Sequence, residues 1–185
     1  MLLDGIKIVE LGQNLAGPYG TQILADLGAE VFKVERPTGD DARGCGAKVT
    51  EDTTTMYETL NRNKKSVTLD LKQPADMERL MKLLADADIF LHNLRPGTPT
   101  KIGLGPEDLR ARFPKLIYCD VGAFGHIGQL KDQPGYEPLM QAYGGLISIN
   151  GHPDGPPARI AVSLIDLGTG MWTAIGALAG RPGGR

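Results

Sequence analysis

The chain has 185 residues, enough for one domain with a buried core, and its 20 basic and 22 acidic residues give a formal charge of −2. Because no basic run concentrates positive charge, we expect no nucleic acid and no membrane surface as partner, which leaves small molecules. Cys45 and Cys119 form no C-x-x-C pair, so we expect neither a zinc site nor a disulfide framework. No stretch approaches the roughly eighteen apolar residues of a membrane span, and we expect a cytoplasmic protein without an export signal.

Short β-branched runs alternate with helical patterns along most of the chain. The predicted strands are 6–11, 30–35, 66–71, 88–93 and 116–121. The predicted helices are 17–28, 74–87, 105–113 and 136–146, and the polar segment 36–65 is predicted to be a long loop. This alternation predicts an α/β fold, a Rossmann-like parallel sheet flanked by helices, with ligands at the carboxyl ends of the strands.

Residues that suit an anionic ligand follow several of the predicted strands, each with an ordinary structural alternative. The first turn, LGQNLAGPYG, matches the dinucleotide fingerprint poorly, but it either offers helix N–H groups to an anion or simply begins a helix. Glu35 followed by Arg36 favours a phosphorylated nucleotide, unless the arginine is only a solvated salt-bridge partner. His92 has no neighbour at metal-ligand spacing and is predicted to be a hydrogen-bonded structural residue. The cations around the third strand suit phosphates or belong to a solvated loop; they are Arg62, Lys64, Lys65 and Lys72.

Asp166 is the least ordinary residue of the sequence. It lies in RIAVSLIDLGTGMWTAIGALAG, residues 159–180, which is predicted to be a buried strand, a tight turn and a helix that begins near Thr169. One interpretation is that its carboxylate caps that helix. The other is that it is a nucleophile, kept ionised by the helix N–H groups and approachable because of the flanking glycines. The local sequence does not separate the two.

Longer motifs follow one another along the chain and together resemble one family. They are LDGIKIVELGQNLAGPYGTQILADLGAEVFKVERPTGDDAR, LNRNKKSVTLDLK, LHNLRPG, KIGLGPEDL, GYEPLMQAYGGLISI and SLIDLGTGMWTAIGALA. In order and spacing, over almost all of residues 2–179, they resemble the N-terminal half of the class III (family III, CaiB/BaiF-type) coenzyme A-transferases.

The resemblance implies a reaction, its partners and a site. Asp166 matches the family's catalytic aspartate, which attacks an acyl-CoA thioester to form a mixed anhydride and then an aspartyl-CoA thioester. The implied partners are an acyl-CoA and a carboxylic acid, with coenzyme A entering as substrate and no metal or redox cofactor required. Tyr136 and Glu137 match a substrate-side segment. The family's CoA contacts carry over to Leu15, Ala16, Arg36, Leu69, Asp70, Leu71, Lys72, Asn93, Leu94, Arg95 and Lys101.

Two departures from the family's motifs narrow the expected reaction. Leu15 stands where formyl-CoA transferase has a glutamine, which favours a dicarboxylate or acyl acceptor other than formate or oxalate. Tyr136 stands where the related α-methylacyl-CoA racemases carry the histidine of a His-Asp pair, which favours a transferase over a racemase.

Family members are much longer than this chain. The resemblance therefore places the N-terminal portion of the large domain at residues 1–178 and predicts a frayed, truncated tail at 179–185. The family's small domain, its glycine-rich lid, its C-terminal return and the connections that interlock its homodimers have no counterpart in this sequence. We therefore expect either a CoA transfer impaired by truncation, or a non-catalytic CoA-binding fragment or half-protein that needs a complementing chain.

Overall fold

Five strands form one parallel sheet in the computed structural model, which describes residues 1–180. The strands are β1 (Lys7–Leu11), β2 (Glu30–Glu35), β3 (Lys64–Thr68), β4 (Ile89–His92) and β5 (Ile117–Asp120). Their order in the sheet is β3-β2-β1-β4-β5, and each neighbouring pair runs parallel. This order is that of a Rossmann-like sheet, so the predicted fold class is confirmed.

Helices follow the strands and cover both faces of the sheet, because each parallel pair needs a crossover connection. They are α1 (Ala16–Asp26), α2 (Thr55–Asn61), α3 (Pro74–Ala85), α4 (Thr98–Lys101), α5 (Pro106–Arg112), α6 (Glu137–Tyr143) and α7 (Leu164–Ala179). On one face, α1 and α7 pack against the sheet through buried residues that include Leu24 and Ala174. On the other, α3 and α5 bury Leu80, Leu84 and Leu109.

Three predicted elements are wrong in part. Segment 36–65 is not a loop throughout, because α2 forms inside it with the Thr54 side chain as its N-cap. The third strand is Lys64–Thr68 rather than 66–71. The fourth predicted helix ends at Tyr143, where Gly144 and Gly145, the latter with φ of +82°, close it.

Residues 159–163 do not form the strand that was predicted before Asp166. Their backbone bonds to a side chain instead of to a strand, since the Ile160 N–H donates to Gln141 Oε1 at 2.8 Å and Gln141 Nε2 donates to the Ile160 carbonyl at 3.2 Å. As a result α7 begins at Leu164, well before the predicted start near Thr169. Asp166 therefore lies inside the first turn of a helix.

Three further expectations concerned a membrane span, the cysteines and the C-terminal tail. No helix within residues 1–180 is long and apolar enough to cross a bilayer. Cys45 and Cys119 are both free thiols. Ala179 ends α7 and Gly180 follows it as its C-cap, while the rest of the predicted tail, 181–185, lies outside the described residues.

Candidate functional site

Two adjoining cavities open at the carboxyl edge of the sheet. The strand-end cavity has a volume of about 200 Å³ and is lined by residues at and just after the ends of β1, β2, β3 and β4. The Asp166 cavity has a volume of about 370 Å³ and is lined by the turn after β1, the loops after β4 and β5, the segment before α6 and the start of α7. Gln13, Arg36 and Leu94 line both cavities. Together they make one groove that leads from the strand ends to Asp166.

The turn between β1 and α1 is fixed from two sides. Asn93, just after β4, accepts from the Gln13 N–H and donates to the Gln13 carbonyl, both at 2.8 Å. Asn14 has a φ of 60°, a conformation that asparagine tolerates, and its N–H donates to Asp40 Oδ1 at 2.9 Å. The turn therefore presents Leu15 and Ala16 to the Asp166 cavity with a fixed backbone.

Beneath this turn lies a fully buried network of charges. Lys33 pairs with Glu10 at 3.1 Å and with Asp40 at 2.7 Å, and donates to the Gly12 carbonyl at 3.0 Å. Lys64 pairs with the other oxygen of Glu10 at 2.8 Å, and burial lowers the pKa of Lys64 to about 8. Burial also opposes the charge on Glu10, but Lys33 and Lys64 hold the pKa of Glu10 below its usual value. The network ties the first turn to the segment that follows β2.

Glu35 and Arg36, for which the sequence left open a phosphorylated nucleotide or a solvated salt bridge of the arginine, are held differently. The Glu35 carboxylate accepts from Arg43 at 2.7 Å, Tyr57 Oη at 2.6 Å and Ser66 Oγ at 2.6 Å. Although burial opposes it, these hydrogen bonds lower the pKa of Glu35 to about 2. Arg36 is exposed, donates to the Gly39 carbonyl at 3.0 Å and pairs with Asp41, while its side chain lines both cavities.

The predicted cation cluster around the third strand does not gather at the groove. Arg62 pairs with Asp26, Lys65 pairs with Glu30, and Lys64 is buried on Glu10. Only Lys72 of the four lies at either of the two cavities, where it lines the strand-end cavity. His92, predicted to be structural, is fully buried, and its Nε2 lies 2.6 Å from Tyr118 Oη, which confirms the prediction.

The first turn of α7 is capped by a neighbouring helix and not by Asp166. Glu137, at the start of α6, accepts from the Ile165 N–H at 3.2 Å through Oε1 and from the Asp166 N–H at 2.6 Å through Oε2. Both interpretations of Asp166 had used the N–H groups of a helix that begins near Thr169, either as the groups it caps or as the groups that keep it ionised. The helix begins instead at Leu164, and Glu137 accepts two of its first-turn N–H groups.

The Asp166 carboxyl is half-buried and lines its cavity together with Tyr136 and Thr169. Burial first, and then the negative charge of Glu137, raise the pKa of Asp166 to about 6. The group is therefore ionised at neutral pH, but it is a stronger base than an ordinary aspartate. Perturbed carboxyls in a cleft are common at functional sites.

Close contact between α1 and α7 brings Asp166 to the first turn. A Cβ at Gly170 would lie 2.8 Å from the Ala16 carbonyl oxygen, and a Cβ at Gly20 would lie 2.9 Å from the Gly170 carbonyl oxygen. Only glycine allows the two backbones to approach so closely. Since Gly170 lies about one turn after Asp166, the contact fixes that residue opposite the start of α1.

Comparison with known proteins identifies the family. The model of CoA-transferase family III matches residues 3–181. The chain belongs to CoA-transferase family III. It is 40% identical over 179 residues to the succinyl-CoA:glutarate CoA-transferase of Mus musculus, covering 96% of this chain and 41% of that relative. It is 43% identical over 177 residues to the succinyl-CoA–D-citramalate CoA-transferase of Chloroflexus aurantiacus, covering 95% of this chain and 44% of that protein.

A solved family III structure has the same fold. The crystal structure of a CAIB/BAIF family protein from Brucella suis matches with a TM-score of 0.91 at 39% identity, covering 96% of this chain and 48% of that one. The chain thus spans less than half the length of these family III relatives, and the match is to an N-terminal portion.

Most residues that the family III resemblance assigned to CoA or substrate lie along the groove. Those lining the strand-end cavity are Arg36, Leu69, Asp70, Leu71, Lys72 and Leu94. Those lining the Asp166 cavity are Leu15, Ala16, Arg36, Asn93, Leu94, Arg95, Tyr136 and Asp166. Lys101, on the short helix α4, and Glu137, beneath the start of α7, line neither of these two cavities.

Several groove residues were not singled out from the sequence. They are Gln13, Gly39, Asp40, Thr98, Ile102, Met140 and Thr169. Gln13 and Thr169 had a usable signal, since Gln13 lies in the turn after the first strand and Thr169 is three residues beyond Asp166 on one helix face. Ile102 and Met140 carried none, because an apolar residue in a helical pattern is ordinarily part of the core.

Proposed function

We propose that this chain provides the CoA-binding part of a family III CoA-transferase site, in which Asp166 is the nucleophile. The observation that carries the proposal is the half-buried Asp166 carboxyl at one end of the groove, ionised at neutral pH yet with a raised pKa of about 6. An unactivated carboxylate suffices for this reaction because a thioester is itself an activated acyl group. Positioning of the two groups supplies most of the remaining rate.

The proposed reaction has four steps. An Asp166 carboxylate oxygen attacks the thioester carbonyl of the donor, and CoA leaves as the thiolate, which gives an acyl-aspartyl anhydride. The thiolate then attacks the aspartyl carbonyl and releases the donor carboxylate, which leaves an aspartyl-CoA thioester. The acceptor carboxylate attacks this thioester and again expels the thiolate. Finally the thiolate attacks the acceptor's carbonyl, which yields the new acyl-CoA and restores Asp166.

Parts of the groove suit the base and the phosphates of coenzyme A. Leu69, Leu71 and Ile102 make the strand-end cavity largely apolar, which fits the flat faces of an adenine base. Arg36 lies where the two cavities join, so its guanidinium is placed for a phosphate of CoA. The pantetheine arm then points toward Asp166. This order places the thioester in the larger cavity, where Arg95 adds positive charge.

A dicarboxylic acyl-CoA is the proposed donor class. The names of the two relatives above each pair succinyl-CoA with a dicarboxylic acid, glutarate or D-citramalate. Leu15 lines the Asp166 cavity and offers an apolar surface to the methylenes of such an acid. The aligned portion is less than half the length of each relative, so we propose, and do not take from these relatives, a transferase activity that involves this chain.

Trapping of a covalent adduct tests the proposal directly. The 185-residue chain is incubated with succinyl-CoA, quenched with hydroxylamine and digested, and peptide mass spectrometry locates any aspartyl hydroxamate. We expect the modification at Asp166, its loss in Asp166→Asn, and its retention in Asp108→Asn, which changes an exposed acid in the first turn of α5. Calorimetric titration with CoA is run in parallel. If CoA binds and no adduct forms at Asp166, the nucleophile assignment fails.

A further inference from the structure

Glu137 occupies a position from which it does not reach a ligand in either cavity. It is only 5% exposed, and its carboxylate lies beneath α7, whereas its neighbours Tyr136 and Met140 line the Asp166 cavity. Gln141 Nε2 donates to its Oε1 at 2.6 Å, which holds the side chain in one orientation. With the two N–H groups of α7, the carboxylate accepts three hydrogen bonds, so its polar atoms are satisfied by the protein.

Glu137 is also a charged residue that bonds directly to the Asp166 backbone. Helix α1, which packs against α7, has no acidic residue in its first turn and no basic residue in its last turn. The other charged residues that line the cavity are Arg95, in the loop after β4, and Arg36 with its partner Asp41. Glu137 alone among these bonds to the Asp166 backbone. A like charge held there disfavours the ionised form of the neighbouring carboxyl.

We propose that Glu137 is a positioning residue for Asp166: it fixes the first turn of α7 by accepting two of its N–H groups, and it holds a negative charge beside the Asp166 carboxyl. This assignment differs from the substrate contact that the family resemblance implied. It rests on the proposed function only in taking Asp166 as the nucleophile, because the cap and the charge are properties of the fold. Within residues 1–180 the Asp166 carboxylate accepts no hydrogen bond, and Asp166 lines the cavity.

Amide hydrogen exchange in the unmodified chain tests the cap without any substitution. First-turn N–H groups of a helix ordinarily lack partners and exchange fast. We expect the amides of Ile165 and Asp166 to exchange at least about tenfold more slowly, relative to their unstructured rates, than those of Glu107 and Asp108. The latter two lie in the first turn of α5, whose N-cap Gly105 provides no side-chain acceptor. Equal protection at the two helices would overturn the cap.

Titration of the Asp166 carboxyl tests the charge. The ¹³C shift of this carboxyl, assigned by its loss in Asp166→Asn, is followed against pH in the unmodified chain, in Glu137→Gln and in the control Glu107→Gln. We expect Glu137→Gln to lower the pKa of Asp166 by about one unit, a tenfold change in proton affinity, and Glu107→Gln to leave it unchanged. The acid limb of adduct formation should move to lower pH by the same amount.

The outcomes separate this inference from the proposed function. An unchanged Asp166 pKa in Glu137→Gln, with the adduct still formed, refutes the charge role of Glu137 and leaves the nucleophile in place. A lowered pKa with protected amides, in a chain that forms no adduct, supports the positioning role and refutes the nucleophile. If Glu137→Gln does not fold, the exchange comparison in the unmodified chain decides, since it needs no variant.

Discussion

Asp166→Asn should abolish adduct formation and at the same time stabilise the fold at neutral and alkaline pH. The substitution keeps the shape of the side chain and removes a charge that is half-buried beside Glu137. Folding raises the pKa of this carboxyl from 3.8 to about 6. A group with a raised pKa binds its proton more tightly in the native state, so ionising it costs stability. That cost is absent below pH 3.8, grows between the two values and is complete above about pH 6.

The size of the effect follows from the same shift. About two pKa units correspond to roughly 3 kcal/mol at 1.36 kcal/mol per unit, which is an upper bound. Solvent screens a partly exposed carboxyl, so we expect about 1 kcal/mol in practice. In a domain of this size, 1 kcal/mol raises the midpoint of thermal unfolding by about 2–4 °C.

Urea unfolding of the unmodified chain and of Asp166→Asn at pH 8, 6 and 4 measures this difference. The variant should be the more stable protein at pH 8, and the advantage should disappear at pH 4. Asp108→Asn serves as the matched control, and should show no gain because an exposed first-turn acid interacts favourably with its helix dipole. A gain of equal size at pH 4 and pH 8 would refute the reasoning, since it would arise from packing rather than from charge.

Three further substitutions test the scaffold of the groove. Gly170→Ala should lower the free energy of unfolding by about 2 kcal/mol and slow adduct formation, because its Cβ meets the backbone of α1. Gly176→Ala, with open space around the new Cβ, should stabilise α7 by up to about 1 kcal/mol. Equal stability of the two variants in urea unfolding would contradict this. Arg36→Ala should weaken CoA binding, measured by calorimetry, by about tenfold. Because its ion pair with Asp41 is exposed, the same substitution should change the free energy of unfolding by less than about 0.5 kcal/mol. An unaltered Kd for CoA would exclude the phosphate contact. Lys33→Met should lose about 3–5 kcal/mol, because it leaves the buried Asp40 without its ion-pair partner and Glu10 with Lys64 alone. Lys65→Met, which removes an exposed pair, should lose less than about 1 kcal/mol, and similar unfolding free energies for the two variants would show that the buried network is not required.

The sheet could be predicted from the sequence because its signals are local and repeated. The run of β4 is buried at all four positions, as an interior strand of a sheet covered on both faces requires. The second strand was predicted with its observed bounds, Glu30–Glu35. Helix α2 was missed because its capping threonine lies in a polar stretch whose composition is that of a loop.

The errors at the site have a different cause, which is that the partners are distant in sequence. The apolar residues before Asp166 have a strand-like pattern, but Gln141 of α6 takes the hydrogen bonds that a neighbouring strand would have made. Likewise the sequence left Lys64 open between a phosphate contact and a solvated loop, and it is neither, because Glu10 of β1 pairs with it in the interior. Local sequence shows which groups are charged, but only the fold shows which charges are paired.

The proposed function divides between two carboxylates the two roles that the sequence left open for Asp166. A carboxylate that caps a helix accepts N–H groups, and those hydrogen bonds stabilise its charge, lower its pKa and reduce its basicity. Such a group would be a weak nucleophile with its oxygens already engaged. Here Glu137 accepts the N–H groups of α7, and Asp166 keeps its place in the same turn with a raised pKa. Under the proposed function, capping from α6 holds the first turn of α7 while Asp166 attacks the thioester.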